Sequence, residues 1–180
     1  MVLAIAGLIV ASVMIGQQVA EAARLKAMVS EVQTLKTAVG QFESLYNGLP
    51  GDVADATDYW SGTADGNSNG RVQAETSNEA FRALEQLALA GFIDGSYTGT
   101  WGGAFVNNGN VMSSKLERGA MMYLNCCGGE GDSSLEFINQ INVFTGASSN
   151  SVRAGVLTPE EAMSIDVKMD DGNPDMGMIG

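Results

Sequence analysis

The sequence has no histidine, which removes the commonest general base and the usual zinc or haem ligand. Its only cysteines are the neighbours Cys126 and Cys127, so no C-x-x-C metal or redox spacing exists. Basic residues are also scarce. Nine Lys and Arg stand against 21 Asp and Glu, giving a net charge of −12 and a pI near 4.1. Those nine are scattered, whereas a nucleic-acid footprint needs clustered cations to displace counterions. This argues against nucleic acid as a partner. The acidity favours solubility, self-repulsion and divalent-cation binding instead. No Ser/His or Cys/His arrangement can be built, and no carboxylate spacing singles out an acid and a base. An enzyme is not expected.

Charge and proline are missing from one stretch in particular. No charged residue precedes Glu21 and no proline precedes Pro50. Residues 1–19, MVLAIAGLIVASVMIGQQV, approach the ~20 apolar residues that cross a hydrocarbon core. A cleaved signal peptide would carry a basic n-region, a small-residue cleavage site and then a break in pattern. Here the pattern continues. Val19, Ala22, Leu25, Met28, Val29, Val32, Leu35, Val39, Phe42 and Tyr46 recur at threes and fours, one apolar stripe of a long helix. Asn47-Gly48-Leu49-Pro50-Gly51 supplies the stop. The spacing predicts a helix from Val2 to about Tyr46, roughly 65 Å long at 1.5 Å per residue. That exceeds a bilayer, so half is expected in the membrane and half amphipathic against a domain.

The remainder of the chain is rich in Gly, Asn, Ser and Asp, the composition of a loop-rich head. At 180 residues the chain suits one domain plus an extra element: 1–47 as the helix and 48–180 as the head. Asp52 to Asp55 has capping-box-like spacing for a short helix ending near Trp60. Thr76 as N-cap with Glu79 opens a second helix that closes at Gly91. Residues 104–106 and 111–112 around Asn107-Asn108-Gly109-Asn110 read as a hairpin. Ala120 to Cys126 and a piece within Leu135 to Phe144 are further strands. Together they predict a small antiparallel sheet covering the C-terminal half of the long helix, an α+β class. Thr158-Pro159-Glu160-Glu161 opens a last helix that runs to about Met169.

Asp65-Gly66-Asn67-Ser68-Asn69-Gly70-Arg71-Val72 matches the first two-thirds of a calcium loop. Side-chain oxygens fall at the first, third and fifth places (Asp65, Asn67, Asn69), glycine at the sixth and the Arg71 carbonyl at the seventh. Thr76 occupies the twelfth place, where a bidentate glutamate belongs; Glu75 is one residue early and Glu79 three late. Calcium is the candidate cofactor, and an ion-free Asx/Gly turn is the alternative. Asp170 to Asp175 forms a second acidic turn, read first as a surface loop. Cys126 and Cys127 have three readings: a vicinal disulfide, an intersubunit bond, or small buried apolar residues.

Several of these segments also occur in order in a known family. The run VLAIAGLIVASVMIGQ and its amphipathic continuation resemble the N-terminal helix of type IV pilins and type II secretion pseudopilins. The head is similar to a proteobacterial prepilin-like group: Leu49-Pro50-Gly51-Asp52 with Ala56 and Trp60, then Asp65 to Val72, LALAGFIDGSYTG at Leu87 to Gly99, and IDVKMDDGNPDMG at Ile165 to Gly177. The likeness covers most of the chain and weakens between Thr100 and Val156.

That resemblance implies a pilin fold and a structural subunit of an extracellular type IV pilus-like helical filament. A secretion-type pseudopilin and a membrane-tethered calcium-binding module that never polymerises are the alternatives. It implies partners that are identical copies, the assembly machinery and, before assembly, the inner membrane of a Gram-negative bacterium. Val2, Leu3, Ile5, Gly7, Leu8, Ile9, Val13, Ile15 and Gly16 are the expected filament core. Gly7 and Gly16 would either weaken the helix there or admit close helix packing. The family's mature helix begins with an N-methylated phenylalanine and, a few residues on, a glutamate, both after a cleaved leader. This sequence carries neither, Met1 aligning several residues inside the helix, so those residues are expected upstream of it.

Overall fold

The computed structural model describes residues 2–74, 78–126, 140–145 and 156–169; of residues 2–4, 6–10, 140 and 142 it describes the backbone alone. The fold is α+β, with helices α1 (Val2–Tyr46), α2 (Ala56–Tyr59), α3 (Glu79–Leu89) and α4 (Pro159–Met169). The strands β1 (Met112–Ser113), β2 (Met121–Asn125) and β3 (Gln140–Phe144) form one antiparallel sheet in the order β1-β2-β3. The chain divides into two compact units, residues 32–156 and residues 1–31 with 157–180.

In the unit of residues 32–156, the C-terminal half of α1 enters the core through Leu35, Ala38 and Phe42, all buried. Their spacing of three and four places them on one helical stripe. Asn47 then turns left-handed (φ 53°), its N–H still reaching the Glu43 carbonyl at 2.9 Å, and the helix stops. β2 is buried at every residue, as a central strand covered on both faces should be. Its register sets Met121 opposite Phe144 and Tyr123 opposite Asn142. α3 packs directly on this sheet, Phe81 stacking on Tyr123 at 6.1 Å and 9°, and the α1 residues share one core cluster with Met121, Tyr123 and Phe144. α3 takes this place because Phe81, Leu84 and Leu87 form its own apolar stripe. A Schellman arrangement ends α3, with Gly91 N–H on the Ala88 carbonyl and Phe92 N–H on that of Leu87.

The hairpin expected around Asn107 to Asn110 does not form. The Val106 carbonyl instead accepts N–H bonds from Gly109, Asn110 and Val111. Asn110, nearly fully buried, accepts from Val106 N–H and donates to the Ala104 carbonyl, occupying groups a ladder would use. The ladder starts later, where Met112 pairs with Met122.

In the other unit, α4 starts as its sequence predicts. Thr158 N–H donates to the Glu161 carboxylate at 2.8 Å and Glu161 N–H returns to Thr158 Oγ1 at 3.3 Å. Ile165 and Asp166 are its buried residues, and Met28 is buried on α1. Upstream, Ile5, Val13, Ile15 and Val19 are each more than half exposed, and Gly16 has open space around it. No described helix is long and apolar enough to cross a membrane. The side chains of residues 2–4 and 6–10, which include Val2, Leu3, Gly7, Leu8 and Ile9, lie outside that description.

Candidate functional site

Asp52 organises the loop at residues 65–70. The sequence suggested a capping role for this residue, yet Asp52 is 3% exposed and its carboxylate bonds the 65–70 loop. Its two carboxylate oxygens accept the N–H groups of Asn69 (3.1 Å) and Gly70 (2.8 Å), and its carbonyl accepts Ser68 N–H at 2.8 Å. Backbone donors on an ionised carboxylate make strong bonds, so residues 66–70 are wrapped around this one side chain. The wrap is close. A Cβ on Gly66 would lie 2.2 Å from the Asp52 carbonyl carbon, so only glycine fits. Asp65 then takes the position the sequence gave to a cap: its carboxylate accepts Thr57 N–H at 2.8 Å. Asp55, the residue before α2, makes no side-chain cap bond.

The polar face of α3 holds the same loop from the other side. Glu79 is fully buried, with Asn67 Nδ2 on one oxygen at 2.6 Å and Gln73 N–H on the other at 3.1 Å. Arg82 donates to the Asp65 carbonyl at 2.8 Å. Gln86, also fully buried, accepts Gly51 N–H at 2.6 Å and donates to the Ala64 carbonyl at 3.3 Å. Residues 79, 82 and 86 lie on one helical face, which is why a single helix reaches the loop at several points. The helix starts at Glu79 after Asn78, whose own side chain accepts Trp101 N–H rather than capping. Thr76, the cap expected from sequence, lies outside the described residues. At the loop's far end the Val72 carbonyl accepts Cys126 N–H at 2.6 Å, tying it to the end of β2. Cys126 is buried and disulfide-bonded; Cys127 lies outside the described residues.

Glu85 closes the neighbouring turn. Thr63 Oγ1 donates to it at 2.8 Å, and Gly99 (φ +64°) backs onto the carboxylate, which would have to shift to admit a Cβ there. Burial raises its pKa above the ordinary 4.5, with Thr63 and then Arg82 working against that shift. A raised carboxyl contributes stability that is complete below 4.5 and is lost as pH rises through the folded-state value. Glu85→Gln keeps an acceptor for Thr63 and removes the titration. It should raise the melting temperature at neutral pH and flatten its dependence on pH between mildly acidic and neutral solution. A melting curve unchanged at every pH would contradict this.

Three of the predicted calcium ligands, Asp65, Asn67 and Asn69, are placed with a side-chain oxygen accepting a backbone N–H. Asp65 turns to Thr57, Asn67 Oδ1 accepts Asn69 N–H (3.1 Å), and Asn69 Oδ1 accepts Arg71 N–H (2.9 Å). Calcium takes six to eight oxygens around one point at about 2.3–2.6 Å. Here each of these oxygens has a separate protein donor. No cluster of three or more carboxylate, cysteine or histidine side chains suited to a metal occurs among the described residues. Glu75 and Asp170 to Asp175 lie outside them. Calcium or a chelator is expected to leave the head's melting temperature unchanged; a rise with calcium that the chelator reverses would contradict this.

Sequence reading located the loop and missed what holds it. Arg82, Glu85 and Gln86 belong to no motif, and their one signal was a polar stripe opposite the apolar stripe of α3. Compared with known proteins, the chain matches no family model, no curated relative and no solved structure.

Proposed function

We propose that this chain is a structural subunit of a type IV pilin-like filament, polymerising through α1. The observation that carries the reading is the asymmetry of that helix. One continuous element, Val2–Tyr46, has Leu35, Ala38 and Phe42 buried in the core, while Ile5, Val13, Ile15 and Val19 remain exposed upstream. Exposed apolar side chains repeated over several helical turns need a partner or a lipid phase. A membrane would store the monomer, and assembly would exchange lipid for neighbouring helices. Repetition of one heterologous contact without closure then generates a helical fibre.

The head offers a matching surface. A shallow, open surface runs along Thr37, Gly40, Gln41, Ser44, Leu45 and Phe92. Small residues let helix backbones approach closely. The Thr37 and Ser44 hydroxyls are already bonded to the carbonyls one turn back, so covering them strands no donor.

A charge in the apolar half separates assembly from folding. Ile15→Asp, at a residue 62% exposed, is expected to abolish fibres while leaving the melting of the head unchanged. Fibres at wild-type yield from that variant would contradict the role given to α1.

A further inference from the structure

Where α1 ends, Tyr46, Tyr59 and Trp60 form an aromatic ledge. Tyr46 meets Tyr59 at 5.0 Å and 70°, and Trp60 at 4.9 Å and 62°. Tyr59 and Trp60 lie 5.5 Å apart. This cluster continues into the core through Phe42, which stacks on Trp60 at 5.9 Å, so the ledge is rigidly backed. Its outer ring is open, Tyr59 being 51% exposed.

The rim around that ring is acidic. Asp55 immediately precedes α2, Asp58 lies on it next to Tyr59, and Glu43 lies one turn before Tyr46 on α1, all three exposed. Among the described residues no ion pair neutralises these three. An aromatic face attracts cations through its quadrupole, and carboxylates beside it add directly to that field. Ledge and rim therefore select the same ligand chemistry. A neutral sugar would use the rings and gain nothing from the charge, and an anionic surface would be repelled.

We infer that this ledge is a docking surface for a basic protein segment, with an arginine or lysine side chain laid against Tyr59 and its charge met by Asp55, Asp58 and Glu43. The inference does not rest on the filament reading, since the ledge lies wholly in the unit of residues 32–156.

The test is calorimetric titration of the full chain in non-ionic detergent with a hexa-arginine peptide at physiological salt. Saturable binding is expected, weakened about tenfold by Tyr59→Leu and by the pair Asp55→Asn and Asp58→Asn. Both changes fall on exposed side chains, Asp55 makes no capping bond, and unchanged melting curves would verify that the fold is kept. The charge-matched control, Asp94→Asn with Glu160→Gln, should bind as the unaltered chain does. Equal loss in the control would show bulk attraction to an acidic protein and overturn the proposal. So would undiminished binding by Tyr59→Leu, no binding of the peptide, or binding of uncharged cellohexaose in its place.

Discussion

Gly51→Ala should be among the most damaging single substitutions in the head. Gly51 is buried at φ +87°, and an added Cβ would sit 2.2 Å from the Glu79 carbonyl oxygen and 3.0 Å from Ala83 N. Both atoms are α3 backbone, so no side chain can swing aside. Strain at positive φ adds about 1–3 kcal/mol to the clash. Relief would push α3 off the Pro50–Asp52 turn and break the 2.6 Å bond from Gly51 N–H to Gln86. A loss of about 4 kcal/mol or more is expected, which lowers the melting temperature by about 10 °C for a chain of this size. Gly66→Ala meets the Asp52 backbone at 2.2 Å and should behave alike. Gly40→Ala is the contrasting case. That glycine is inside α1 with nothing within 4 Å, so alanine should stabilise by up to about 1 kcal/mol. Calorimetry of the three variants would test the packing, and a tolerated Gly51→Ala would refute it.

Asp52→Asn carries the second large effect. The carboxylate accepts two N–H groups, from Asn69 and Gly70. An amide of the same volume presents one acceptor and one donor, so one backbone N–H would face another donor. Bonds to a charged acceptor contribute about 1.5–3 kcal/mol each, and an orphaned donor costs about 1–3 kcal/mol. We expect a loss of about 3 kcal/mol and faster amide exchange at Ser68 to Gly70. Because the carboxylate is held by backbone donors, added calcium should not rescue the variant. Native stability in Asp52→Asn would mean that the loop is organised by something other than this side chain.

The long helix, the two fuller strands and α4 were legible because their signals are local. Periodicity, a run of buried residues and a capping box each lie within a few residues of what they specify. The clasp around Asp52 was not. Asp52 is far in sequence from Asn69 and Gly70, and the Asp-Gly-Asn alternation of residues 65–70 fits a cation loop and a carboxylate-wrapped turn equally well. Deciding between them needed to know where each oxygen points. The hairpin at Asn107 failed for a related reason: Asn110 satisfies the turn with its side chain, and strand propensity carries no information about that. Similarly, Asp52 matched the spacing of a cap, but Asp65 reaches Thr57 from across the loop.

The decisive measurement is negative-stain electron microscopy of sheared cell-surface material, with the fibres identified by mass spectrometry. Fibres composed of this chain, and lost with Ile15→Asp, are the expected result. Monomer confined to the membrane fraction, with no fibre containing the chain, would contradict the assignment of α1 as a polymerising helix.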